Sequence, residues 1–136
     1  MSHVFPRNNK KPVPLAVSGD GCFLVSKDGK RFFDGSGGAA ISSLGHSNQR
    51  VVAAVQKQVS KLAFAHTSFF TSEPAEELAD LLIKNAPGGL DKAYFVSGGS
   101  EAIEAAMKLA RQYHVENGEP ERRHFISRRQ SYHGNT

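Results

Sequence analysis

The chain has 136 residues, 39% of them hydrophobic and 22% charged, with a formal net charge of +4. That is enough for one modest domain and is too apolar for a disordered chain. A single cysteine, Cys22, excludes an internal disulfide.

No apolar run approaches the ~20 residues a membrane span needs. Residues 1–14 hold no hydrophobic segment of the secretory kind, so a cytoplasmic location is the expectation. A nucleic-acid surface would set basic residues among aromatics for stacking. Here Arg122, Arg123, Arg128 and Arg129 flank the short apolar segment His124-Phe125-Ile126 instead, so neither nucleic acid nor membrane is an expected partner.

Residues 1–18, punctuated by Pro6, Pro12 and Pro14, read as an extended arm. Cys22 to Ser26 and Arg31 to Asp34 read as a β-hairpin, with Asp28-Gly29 as a type I′ turn. Cys22 then reads as plain packing. Residues 35–46 are rich in Gly, Ala and Ser, which lets backbone approach a ligand or another chain closely.

Ser47 reads as the cap of a helix to about Leu62, with Val51, Val52, Val55, Val59 and Leu62 on one face. A loop with His66, Phe69 and Phe70 follows. A second helix starts at Ser72-Glu73-Pro74, where proline and acidic residues suit the first turn. Its apolar face is Ala75, Leu78, Ala79 and Leu82, and Asn85 to Gly89 stops it.

Lys92 to Val96 reads as a strand, Ser97-Gly98-Gly99-Ser100 as a tight turn, and Glu101 to His114 as a helix ended by Asn117-Gly118. Arg123 to Ser127 reads as a second strand. The sum is a βαβ unit, hence an α/β domain with a mainly parallel sheet.

Two loops then fall at the carboxyl ends of consecutive strands, where open α/β sheets bind ligands. The first, Ser97 to Ser100, opens a helix, and its free N–H groups suit a phosphate. Gly98 and Gly99 let an anion come close, and Ser100 adds a hydroxyl. The second, Gln130-Ser131-Tyr132-His133-Gly134, offers an aromatic ring for stacking and an imidazole. A glycine-rich turn before a helix is often only a capped turn. His46 and His66 lie in loops and His114 near a helix end. No histidine spacing matches a metal site, no Ser-His-Asp set assembles, and nucleotide-binding fingerprints are lacking.

The segment Phe95-Val96-Ser97-Gly98-Gly99-Ser100-Glu101-Ala102, continuing to Arg111, closely resembles the GSEA helix of class III aminotransferases, which are fold type I pyridoxal-phosphate enzymes. Ser131-Tyr132-His133-Gly134 resembles that family's YHG segment. Asp28 to Gly38, Leu44-Gly45-His46 and Phe70 to Leu82 also fit, so the resemblance spans about residues 18–136.

The resemblance implies pyridoxal 5'-phosphate as cofactor. Gly98, Gly99 and Ser100 would hold its phosphate, Tyr132 would stack on its ring, and His133 would stand beside Tyr132. It also implies Ala40 and Ile41 in the substrate pocket and Phe69 and Phe70 in a loop that reaches a partner subunit's active site. A homodimer using amine or amino-acid donors and keto-acid or aldehyde acceptors is the expected assembly. Residues 1–46 would be an arm, hairpin and loop, and residues 47–136 the start of the cofactor-binding domain.

Catalysis in this class needs a lysine bonded to the cofactor and an acidic residue at its ring nitrogen. Neither is evident among the nine lysines and the acidic residues here, and in the family both follow the YHG segment. The expectation is that no catalytic residue lies in this chain, that the lysine lies beyond Thr136, and that the chain alone is inactive and aggregation-prone. Other reactions of the same fold (an aminomutase, decarboxylase or racemase) and a non-catalytic phosphate-binding fragment stand as alternatives. So does a small α/β domain without a ligand.

Overall fold

The computed structural model describes residues 3–8 and 10–136. The chain divides into two units, one running through Phe70 and the other from Thr71 to Thr136.

The first unit is built on a three-stranded antiparallel sheet in the order β1 (Ala16–Asp20), β2 (Phe23–Ser26), β3 (Arg31–Phe33). The β2–β3 hairpin forms where the sequence places it, with Phe23 opposite Phe33 and Val25 opposite Arg31. Phe23 and Phe33 meet edge to face at 5.7 Å, and the Arg31 guanidinium lies 4.3 Å over the Phe23 ring. Such cross-strand pairs fix the register.

The turn differs from expectation. Gly29 has φ +81°, but Asp28 does not take a positive φ, so this is not a type I′ turn. Instead the Gly29 N–H donates to the Ser26 carbonyl, and the Ser26 N–H donates to the Lys30 carbonyl. That is a longer loop closed by a left-handed glycine. The Ser26 hydroxyl, the one buried polar side chain among the described residues, donates to Asp28 and holds its carboxyl below the ordinary carboxylate range.

β1 is the part of the arm that sequence reading misses. It pairs with β2 from Ala16 opposite Ser26 to Asp20 opposite Phe23, with an irregularity between Ala16 and Ser18. Residues 3–8 and 10–15 carry no helix or strand, and the rest of the expected arm (residues 1, 2 and 9) lies outside the described residues. Cys22 corrects a second expectation: it is an exposed free thiol at the tight connection of β1 and β2, not a packed side chain.

Residues after β3 form one short turn, α1 (Gly37–Ala40), with left-handed φ throughout: Gly37 +55°, Gly38 +58°, Ala39 +59° and Ala40 +70°. For alanine that conformation costs about 1–2 kcal/mol per residue.

Helix α2 (Gln49–Lys61) follows. Its cap is Asn48, whose side-chain oxygen accepts from the N–H groups of Arg50 and Val51 at 3.1 and 3.3 Å. Ser47, the expected cap, sits one residue too early, with φ +57°. The expected stripe forms, yet Val51, Val55, Val59 and Leu62 are exposed.

The second unit holds α3 (Glu73–Asn85) and α4 (Gly99–Glu116). Helix α3 starts after Ser72 with Pro74 in its first turn, as the sequence predicts. Helix α4 ends at Asn117, followed by Gly118 at φ +75°.

The expected parallel strands flanking α4 are absent among the described residues. Residues 92–96 and 123–127 carry no strand, and the sheet that exists is antiparallel. The physical reason is cover. A parallel pair is the weaker ladder, and two strands need partners on both edges and both faces. Tyr94 at 82% and Ile126 at 100% exposure have none.

Candidate functional site

In the second unit, α4 opens at the glycine-rich turn. Gly98 is the N-cap, and no side chain caps the helix by hydrogen bonding. The Ala102 N–H donates to the Gly98 carbonyl, so helical bonding begins at Ala102. The N–H groups of Gly99, Ser100 and Glu101 precede it and lack intrahelical acceptors by construction. They carry the positive end of an 18-residue helix.

Gly98 and Gly99 carry no backbone strain. Gly98 is extended, with φ −167°. A Cβ on Gly98 would approach only the movable Glu101 carboxylate, at 2.7 Å, and a Cβ on Gly99 would meet nothing within 4 Å. Neither position needs glycine for the chain's own conformation. The pair leaves open space beside free N–H donors, which is what an anion at this helix end requires.

The second loop comes to the same place. The Asn135 N–H donates to Ser100 Oγ at 3.1 Å. Gly134, at φ +100°, lies so close that an added Cβ would stand 2.9 Å from Ser100 Cα. Here glycine is required twice, by conformation and by space. Accepting from Asn135 leaves the Ser100 hydroxyl proton free to donate to a phosphate oxygen. Tyr132 is 78% exposed, so its ring face is available for stacking, and His133 beside it is exposed as well.

The structure thus joins Ser100 with the loop that carries Tyr132 and His133. Gly134 and Asn135 are the residues that join them, and the sequence reading gives neither a role. A glycine after an aromatic-histidine pair was the available signal for the first. A backbone N–H donor leaves no signal for the second.

The weaker candidates lie in the first unit. Ala40 closes the left-handed turn α1, and Ile41 after it is 85% exposed. Phe69 and Phe70 are exposed, their N–H groups both donate to the His66 carbonyl at 3.0 Å, and the Phe69 ring lies 5.4 Å from the His66 ring.

The first unit also holds a cluster that sequence reading passes over. His46 Nε2 lies 2.8 Å from Asp34 Oδ2, and the Ser42 hydroxyl donates to the same oxygen at 3.0 Å. The Ser36 hydroxyl donates to Asp34 Oδ1 at 3.3 Å. The His46 ring first, then these serines, hold the Asp34 carboxyl below the ordinary carboxylate range. The carboxylate is central and both Ser42 and His46 bond to it, so no serine is paired with the histidine as a nucleophile would be.

Comparison with known proteins gives the family. The aminotransferase class-III family matches residues 4–136, and the chain belongs to it. An uncharacterized aminotransferase of Schizosaccharomyces pombe is 44% identical over 94% of this chain. An acetylornithine aminotransferase of Clostridium acetobutylicum is 38% identical over 87% of it. The chain spans only 28% and 30% of those two relatives.

Among solved structures, an (S)-enantioselective omega-transaminase from Thermomicrobium roseum matches with TM-score 0.91 and 37% identity, over 98% of this chain and 31% of that one. The Pseudomonas jessenii omega transaminase, solved with PMP, matches with TM-score 0.92 and 31% identity over 99% of this chain and 31% of that one. The fold is therefore that of part of a fold type I transaminase, mixed α/β with a small antiparallel sheet. Among the described residues no helix is long and apolar enough to cross a membrane.

Proposed function

We propose that this chain supplies the phosphate-binding turn and the ring-stacking loop of a pyridoxal 5'-phosphate-dependent aminotransferase. The observation that carries the reading is the pair Gly98-Gly99: two glycines the fold does not need, beside free N–H groups and next to Ser100. Family membership and the PMP-bound neighbour support the same cofactor.

The residues fit the group. Its phosphate would take the N–H groups of Gly99 and Ser100 and the Ser100 hydroxyl, with Gly98 leaving room. Tyr132 would cover one ring face, and His133 would extend that wall. When bound, the cofactor supplies an electron sink for amino transfer. This chain's share is to bind and orient it and to keep water from one face of its ring. The lysine and the acidic partner of the ring nitrogen are assigned to the remainder of the complete polypeptide.

The complete protein would move an amino group from an amine or amino acid to a keto acid or aldehyde. Ala40, Ile41, Phe69 and Phe70 are proposed as substrate contacts. The assembly is a cytoplasmic homodimer, with residues 1–46 as arm, hairpin and loop and residues 47–136 as the start of the cofactor domain.

The test is the equilibrium affinity of the complete polypeptide for pyridoxal phosphate, with and without Ser100→Ala plus Tyr132→Ala. Loss of a hydroxyl bond to a charged group and of ring stacking is expected to cost about 3 kcal/mol, on the order of a hundredfold in affinity. Unchanged affinity would sink the assignment.

A further inference from the structure

Ala39 and Ala40 are the only consecutive non-glycine residues with positive φ among the described residues. Strain of this kind persists only where the surroundings over-determine it, and it gathers at ligand-contacting segments. Here the surroundings are one carboxylate. Ser36 precedes the turn α1 and Ser42 follows it, and both hydroxyls donate to Asp34. Asp34 thereby ties the two ends of the turn together.

The tie is anchored to the sheet. The Asp34 N–H donates to the Cys22 carbonyl at 2.9 Å, and the His46 N–H donates to the Gly21 carbonyl at 2.7 Å. His46 lies so close over β1 that a Cβ on Gly19 would stand 2.4 Å from its own Cβ. The pair is partly shielded, with side-chain exposures of 11% for Asp34 and 22% for His46. Beyond the clamp, Ile41 stands 85% exposed at the end of the turn.

We propose that Asp34 is a positioning residue: with His46 behind it, it holds α1 in its left-handed form and so sets how Ala40 and Ile41 meet the organic group of the amine substrate. The inference rests on the reading of those two residues as substrate contacts. Asp34 itself touches no substrate, and it acts on the choice among amines rather than on the chemical step.

The test uses the complete polypeptide and Asp34→Asn, which keeps the shape and removes the charge. Ser42→Ala, a milder cut of the same clamp, serves if the first variant folds poorly. Amide hydrogen exchange across residues 37–42 is expected to rise about tenfold or more. The KM ratio between a small and a bulky amine should shift about fivefold, with kcat changed by less than about twofold.

Unchanged exchange in both variants overturns the clamp. Faster exchange with an unchanged KM ratio overturns its role in substrate choice. A parent polypeptide that binds pyridoxal phosphate but transfers no amine overturns that role too, through the function reading, while the exchange result still decides the clamp.

Discussion

Single atoms decide the candidate site. Gly134 is glycine because Ser100 stands where its Cβ would go, whereas Gly98 and Gly99 are glycine for no reason internal to the chain. That contrast separates a glycine the fold requires from two that it does not, and it cannot be seen in the letters alone. Ser97 to Ser100 and Tyr132-His133 stand out in the sequence because phosphate and ring chemistry restrict residue types. The Asp34–His46 pair does not, since the partners stand twelve positions apart and only the folded loop joins them.

The pair also carries a pH signature. Asp34 is lowered from its ordinary value of 3.8, chiefly by the His46 ring. A group depressed in the folded state contributes stability above its unfolded value and loses it as pH falls through the folded one. Thermal midpoints of the complete polypeptide and its Asp34→Asn variant should therefore differ above the ordinary value of 3.8 and converge as pH falls below it through the folded one. A difference that persists unchanged at the acid end would contradict this.

At the scale of elements, local chemistry was read well and pairing poorly. The proline and acidic first turn of α3, the β2–β3 hairpin and the Asn117-Gly118 stop of α4 are signals within a few residues. β1 was missed because Ala16-Val17-Ser18-Gly19-Asp20 holds no strong strand formers beyond Val17, and its pairing with β2 is tertiary. The strands expected at 92–96 and 123–127 have the right composition but no neighbours to bond.

The start of α2 shows how fine the distinction runs. Asn48 makes the cap bonds and Ser47 does not. In denaturant unfolding of the complete polypeptide, Asn48→Ala should cost about 1 kcal/mol and Ser47→Ala less than about 0.5 kcal/mol. The reverse order would restore Ser47 as the cap.

For the whole molecule, surface area is the deciding quantity. The chain exposes 12797 Å². A folded monomer of 14.7 kDa exposes on the order of 7,000 Å². Among the described residues no hydrophobic side chain is buried, and the apolar stripes of α2 and α3 are uncovered. The isolated chain should bind a hydrophobic dye such as ANS and unfold without a sharp transition. A cooperative melt with no dye binding would show that these faces find cover within the chain or a second copy of it.

Gly98 and Gly99 are proposed to stay open for a phosphate. Gly99→Ala in the complete polypeptide tests this, read out as both stability and pyridoxal-phosphate affinity. The apo protein should be as stable as the parent or firmer by roughly 0.5 kcal/mol, because the new Cβ meets nothing. Cofactor affinity should fall about tenfold or more, since the Cβ enters the space the phosphate needs. Equal affinity with equal stability would contradict the claim and leave the turn as no more than the start of a helix.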